Sequence, residues 1–239
     1  MKEEIANNMF ELYELIGASN QSLKTSKGCS YVMSANNSWP TKVFRLNELQ
    51  IDYGDLYQKM EFGEIPDSVF LNEDEVAESQ LVKHGFKMKS TILSMYANLS
   101  EQTKSANSFT SIDRVDTEKA AAIFAKIASV AFSYEVRPET IASLINNPKL
   151  KIYIGKYKET YASSGMLLLD RNGISGLHMI GTLPEYRGYG LGKVMTGKLL
   201  FEAYENSSKQ AVLGASELGH RVYSKLGFKV EGTLKSYSI

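Results

Sequence analysis

The sequence predicts a mixed α/β fold, with α+β character in its strand order, and three observations carry that reading. Residues 151–183 hold three strand-like runs, KIYIGKYKE, TYASSGMLLLD and ISGLHMIGTL, divided by short turn signals such as Arg171-Asn172-Gly173, and so imply an antiparallel meander. Helices and strands alternate after it: a helix over 190–205, a strand over 210–215, a helix over 217–226 and a strand from Phe228. The segment LVKHGFKMKSTILSM at 81–95 reappears as YSKLGFKVEGTLKSY at 223–237, matching at Lys83/Lys225, Gly85/Gly227, Phe86/Phe228, Lys87/Lys229, Thr91/Thr233 and Ser94/Ser236. Each copy reads as a helix stopped by a glycine in the left-handed region and followed by a strand.

The repeat divides the chain. Residues 98–108, NLSEQTKSANS, are polar and poor in large apolar side chains, as expected of a linker between halves at 1–98 and 105–239. In the first half Ile5, Met9, Leu12 and Ile16 recur at helical spacing, Tyr31–Met33 and Lys42–Leu46 read as strands, and a helix is predicted over Asp52–Phe62. The second half opens with a strand and turn over 108–116. A helix follows from Thr117 to Phe132 with Ile123, Ile127 and Val130 on one face, then a short helix over Arg137–Asn146 that starts at Pro138.

Composition narrows the function. With 27 basic and 27 acidic residues there is no global field to hold nucleic acid or an anionic membrane. The single cysteine, Cys29, and three scattered histidines draw no disulfide and no metal cluster. Without an apolar run long enough for a membrane span or leader, the expectation is a soluble cytoplasmic protein.

The densest chemical signal is TLPEYRGYGLGKVMTGKLL, residues 182–200: a strand end, a turn with three glycines, and a helix whose Leu191, Met195 and Leu199 face inward. Glycines let main-chain amides converge, and the helix start adds partial positive charge, which together suit a diphosphate. The dinucleotide pattern G-x-G-x-x-G fails because Lys193 stands where its third glycine belongs. A Walker A loop through Gly192, Gly197 and Lys198 fails because Leu199 replaces the magnesium-binding hydroxyl. Arg187-Gly188-Tyr189-Gly190-Leu191-Gly192 remains, with the form R-x-x-G-x-G.

That segment resembles the coenzyme A loop of the GNAT N-acetyltransferase superfamily, R/Q-x-x-G-x-G/A after a strand. ASELGHRVYSKLGF, residues 215–228, is similar to the family's helix ending in Y-x-x-L-G-F, and residues 108–236 follow the family's element order. The resemblance implies a GNAT-like fold in the C-terminal half and acetyl-CoA as cosubstrate, with no metal. The backbone of Ile180, Gly181 and Thr182 would pair with the pantetheine arm. The amides of Gly188, Tyr189, Gly190, Leu191, Gly192 and Lys193, after Arg187, would hold the diphosphate. Tyr223 would act as general acid toward the departing thiolate, since a thiol near pKa ~8.5 and a phenol near ~10 are close enough to exchange a proton.

Two positions depart from the family's pattern. Ser216 stands where an asparagine often holds the coenzyme arm, and no acidic residue stands unambiguously as general base. His178 shares strand parity with Ile180 and Thr182 and is the candidate base, beside Glu185 and Glu217, although a structural histidine is an equally natural reading. The family also makes a further strand beyond the last one here, so the N-terminal half is expected to cover that sheet edge. In that half Leu81 stands at the counterpart of Tyr223, and residues 1–98 contain no G-x-G, as in a degenerate GNAT-like copy without a coenzyme site. It is expected to form one wall of the acceptor pocket, through an aromatic residue such as Trp39 or Tyr53. The implied activity is acetyl transfer to a small-molecule or peptide amine by direct attack. The alternative is a non-catalytic CoA-binding or regulatory module. Acceptor identity and oligomeric state are not encoded in any motif.

Overall fold

The computed structural model describes residues 1–99 and 111–239. The first half runs α1 (Lys2–Ser19), β1 (Leu23–Ser26), β2 (Cys29–Met33), β3 (Thr41–Phe44), α2 (Tyr53–Glu61), β4 (Ser68–Asn72), α3 (Glu75–Lys83) and β5 (Lys87–Asn98). The second runs β6 (Ile112–Arg114), α4 (Glu118–Phe132), α5 (Pro138–Ala142), β7 (Leu150–Tyr157), β8 (Thr160–Leu169), β9 (Ser175–Thr182), α6 (Leu191–Glu205), β10 (Gln210–Ala215), α7 (Glu217–Ser224) and β11 (Lys229–Ser238). The expected linker lies almost wholly outside the described residues, as does the boundary at 105.

Local chemistry explains the helix starts. Asp52 accepts from the amides of Gly54 and Asp55 at α2, Thr117 from Ala120 at α4, and Ser216 from Gly219 at α7, each supplying an acceptor for an orphan donor of the first turn. Two strands go unread in the sequence. β1, LKTS, is an edge strand without apolar alternation, and β4, SVFLN, is a short apolar run whose periodicity fits helix and strand alike. On α4 the buried stripe is Ala121, Phe124, Ala125, Ile127 and Ala128, while Val130 is 46% exposed, so the face expected from Ile123, Ile127 and Val130 is rotated toward the small residues. Close packing on the sheet favours alanines there.

Among the described residues one mixed sheet holds eleven strands in the order β1-β2-β3-β4-β11-β5-β10-β9-β8-β7-β6. Helices α1, α4 and α5 cover one face, where Leu12 and Ile16 share a core with Phe124, Ile141 and Ile152. The other face carries α2 and α3 over the first half and α6 and α7 over the second. The meander β7-β8-β9 forms as expected.

The repeat has a structural meaning. Gly85 and Gly227 adopt φ of +92° and +90°, and the next amides, of Phe86 and Phe228, donate to Leu81 and Tyr223 at 3.0 and 3.1 Å. The following strands, β5 and β11, pair antiparallel with Ile92 opposite Leu234, two residues that the repeat places in equivalent positions. The two copies therefore cross at a local two-fold point. β11 lies between β4 and β5, and β5 between β11 and β10, so each half's last strand is sandwiched by the other half. The edge left by the second half is paired by β5 of the first, as expected.

Candidate active site

β9 and β10 are parallel neighbours only at their starts, where Ser175 pairs with Ala211 and Gly176 with Val212. Beyond these pairs they part, leaving the edge of β9 from Leu177 to Thr182 open toward β10. A bulge bends β9 inside the gap: the register with β8 passes from Met166–His178 to Ser164–Gly181, so Met179 and Ile180 oppose the single residue Gly165. Met179 takes φ of +53°, a left-handed conformation that is costly for a residue with a Cβ and is held by packing on both faces.

The bulge corrects an expectation. His178 does not share a face with Ile180 and Thr182. Leu177 and Ile180 pack on the α6–α7 side with Met195 and Tyr223, whereas His178 meets Asn8 of α1 on the opposite side and Met179 packs there also. Strict two-residue alternation fails because the inserted residue reverses it.

Asn8 fixes the state of His178. Its amide nitrogen donates to Asp170 Oδ2 at 2.9 Å and to the Ile174 carbonyl at 3.2 Å, so its Oδ1 is left to accept from His178 Nε2 at 2.8 Å. The imidazole is therefore the Nε2–H tautomer, with a buried, unpartnered Nδ1. Burial pushes its pKa down to about 3. A group so weakly basic is neutral at pH 7 and unsuited to taking a proton from an ammonium, so the surroundings do not support the general-base role expected of His178.

This pKa has a consequence for stability. Unfolded, the imidazole binds a proton below pH ~6.5, and folded it does not until about 3, so the unfolded state binds more protons across that window. The expected result is a loss of stability approaching 1.4 kcal/mol per pH unit as pH falls from ~6.5 toward ~3, and no contribution above that window. Urea midpoints for wild type and His178→Gln between pH 7 and 4 test this, the variant showing the shallower decline.

The loop lies at the open end of β9. Gly188 and Gly190 take φ of +87° and +81°, and nothing lies within 4 Å of a Cβ built on either, so conformation rather than crowding demands glycine. Gly190 caps α6 without any side-chain acceptor. Among the described residues no protein acceptor faces the amides of Gly188, Tyr189, Gly190, Leu191, Gly192 and Lys193. Arg187 ties the loop down, donating to the carbonyls of Thr182 and Ala131 at 3.3 and 3.4 Å. The exposed ring of Tyr189 leans on Tyr157 at 4.6 Å between centroids. These free amides and the positive end of α6 fit a diphosphate.

A cavity of about 570 Å³ runs from the α1 side of the sheet to the gap. At the gap it meets Ile180, Ser216 and Tyr223, and elsewhere Met9, Tyr13, Trp39, Phe132 and His178 line it. Tyr223 stands on α7 against Phe228, with Gly219 one turn earlier so close that a Cβ would sit 2.8 Å from the Tyr223 ring. Burial pushes the Tyr223 phenol up to about 12. Ser216 accepts the α7 capping bond, which leaves its hydroxyl hydrogen for another partner. Of the two aromatic residues expected at the pocket wall, Trp39 lines it, whereas Tyr53 belongs to the core beneath α2 and α3. Glu185 and Glu217 are exposed and do not line the cavity. Asn8, Asp170 and Lys42 escaped the sequence reading. Asn8 had a signal, a polar residue in the apolar stripe between Ile5 and Leu12.

Solved acetyltransferase structures share this GNAT-like fold. No family sequence model and no curated protein matches the chain. A GCN5-related N-acetyltransferase from Kribbella flavida superimposes with TM-score 0.67 at 16% identity, covering 98% of this chain and 95% of that one. A putative GNAT-family acetyltransferase from Novosphingobium aromaticivorans gives TM-score 0.63 at 13% identity, with 98% and 95% coverage. A GCN5-related N-acetyltransferase from Sphaerobacter thermophilus gives 0.60 at 13%, with 94% and 84% coverage. At such identities the likeness shows the fold, and it extends over nearly the whole chain rather than the C-terminal half alone.

Proposed function

We propose that this chain transfers an acetyl group from acetyl-CoA to a primary amine, borne by a small molecule or peptide, by direct attack within a ternary complex. The observation that carries the proposal is that six main-chain amides, without protein acceptors among the described residues, stand at the open end of β9, while Tyr223 lines the cavity where it reaches the β9–β10 gap. Bound acetyl-CoA supplies a thioester whose acyl carbon the amine attacks and whose sulfur departs. The residues present fit it: Gly188 to Lys193 would hold the diphosphate, the open edge at Ile180, Gly181 and Thr182 would pair with the pantetheine arm, and the Ser216 hydroxyl would donate to it. Amides on that edge stabilise negative charge on the acyl oxygen. The Tyr223 hydroxyl, with no hydrogen-bond partner among the described residues, is free to give its proton to sulfur; the burial that raises its pKa raises that of a thiol in the same place, so their match is preserved.

Residues 1–98 are read as a degenerate copy of 105–239. The paired helix-to-strand corners and the crossing at Ile92 and Leu234 support this, and Leu81 in place of Tyr223 explains why only one copy keeps the acid.

Titration calorimetry with coenzyme A tests the loop. Gly190→Val forces a branched side chain into the left-handed region, at a cost of about 1–2 kcal/mol, and is expected to weaken binding about five- to thirtyfold. Unchanged affinity removes the loop from the site. Thiol release with a panel of primary amines tests the reaction. The weak basicity of His178 favours a second reading, a non-catalytic CoA-binding or regulatory module, which binding without thiol release across the panel would establish.

A further inference from the structure

The far end of the cavity carries a feature that acetyl transfer does not require. Lys42 of β3 lies on the α1 face of the sheet, where the alternation of its strand puts Phe44, and its half-buried ammonium donates to Ser68 Oγ of β4 at 2.6 Å and Ser236 Oγ of β11 at 3.2 Å. Ser90 of β5 stands directly opposite Ser236, so neighbouring strands offer a row of hydroxyls beside one cation. Among the described residues Lys42 has no carboxylate within ion-pair distance. The other charged side chain lining the cavity, Asp67, is exposed at the rim. A partly desolvated ammonium held only by neutral hydroxyls has unused capacity for a counter-ion, and burial pulls its pKa down against the opposing effect of Asp67.

We infer that Lys42, with Ser68 and Ser236, binds a carboxylate of the acceptor, so that the substrate class is a primary amine bearing a carboxylate several bonds away. The inference rests on the acetyl-transfer reading for the position of the reacting amine. One cation with a carboxylate nearby suits a singly charged group better than a phosphate dianion. Spacing sets the length. Lys42 Nζ sits over Ser236 of β11, two strand spacings (~10 Å) from β10, and Ser90, the β5 partner of Ser236, stands three residues (~10 Å) beyond Leu93, which faces Ala215 at the gap, so the two ends lie ~14 Å apart. After a hydrogen bond at the carboxylate end and a near-attack contact at the amine, ~3 Å each, an α-amino acid is too short to reach both ends, whereas an extended ω-amino acid of six carbons reaches.

The test compares 6-aminohexanoate with 6-aminohexanamide as acceptors for the wild-type chain. The expected kcat/KM ratio is about ten- to a hundredfold in favour of the acid, the range for a hydrogen bond between charged partners. Lys42→Met is expected to bring the ratio near one. A ratio within twofold in wild type, which needs no variant to fold, overturns the inference, and so does a large ratio that survives in Lys42→Met. Calorimetry with 6-acetamidohexanoate and its amide reads the same preference without turnover. Acid-selective binding lost in Lys42→Met, with no thiol release from any amine, keeps the carboxylate site and sinks acetyl transfer. Thiol release without acid preference does the reverse.

Discussion

Tyr223→Phe is expected to lower kcat by about 10²- to 10⁴-fold, the range for loss of a positioned general acid, while coenzyme A affinity and folding stability stay within small factors of wild type. Stability is spared because the phenol hydroxyl has no partner to lose among the described residues, and the ring keeps its contacts with Phe228 and Gly219. The defect should shrink for acetyl donors with a more acidic leaving thiol, which need no proton to depart. Steady-state kinetics with acetyl-CoA and an activated thioester measure both effects. An equal loss with the two donors would assign the change to packing rather than to proton transfer.

The second large effect concerns folding. A Cβ at Gly176 would lie 1.7 Å from Asn8 Oδ1 and 2.4 Å from His178 Nε2, so Gly176→Ala must expel the Asn8 side chain. Expulsion strands the buried His178 N–H and removes a donor from the buried Asp170, each worth about 1–3 kcal/mol, and strain adds about 1–3 kcal/mol. A total loss of at least ~3 kcal/mol is expected from urea unfolding, a large share of a domain's stability. In a double-mutant cycle the loss should fall well short of additive when Asn8→Ala is already present, because the contact that Gly176→Ala breaks is then gone. Additive losses would show that Asn8 is not what Gly176 accommodates.

Asn8 and Gly176 also show where sequence reasoning stops. Asn8 sits in the first helix and Gly176 in the ninth strand, and no local pattern joins them. The same is true of Lys42, Ser68 and Ser236, which become neighbours only because β11 enters the sheet beside β4. The turn at Gly188–Lys193 was legible because it resides in main-chain conformation: two glycines at left-handed positions and a helix start lie close together in the chain, and their spacing excludes competing loops. The place of Tyr223 in the last turn of its helix was legible for a related reason, as the helix stop at Gly227 ties it to a local turn.

The error at His178 has a different cause. Side-chain alternation along a strand holds only while the register is regular, and one extra residue at the bulge put His178 on the α1 side of β9, opposite Ile180.

By itself, then, the sequence determined the meander, the alternating helices and strands after it, the glycine turn that starts α6 and the two related corners, because each depends on contacts within about a dozen residues. The tertiary structure alone decided that the halves interleave through β5 and β11, that α1 fixes the tautomer of a histidine 170 residues away, and that a lysine lines the cavity. Long-range strand pairing is chosen by the burial of whole sheet faces, a property of the assembled chain that no short stretch of residues contains.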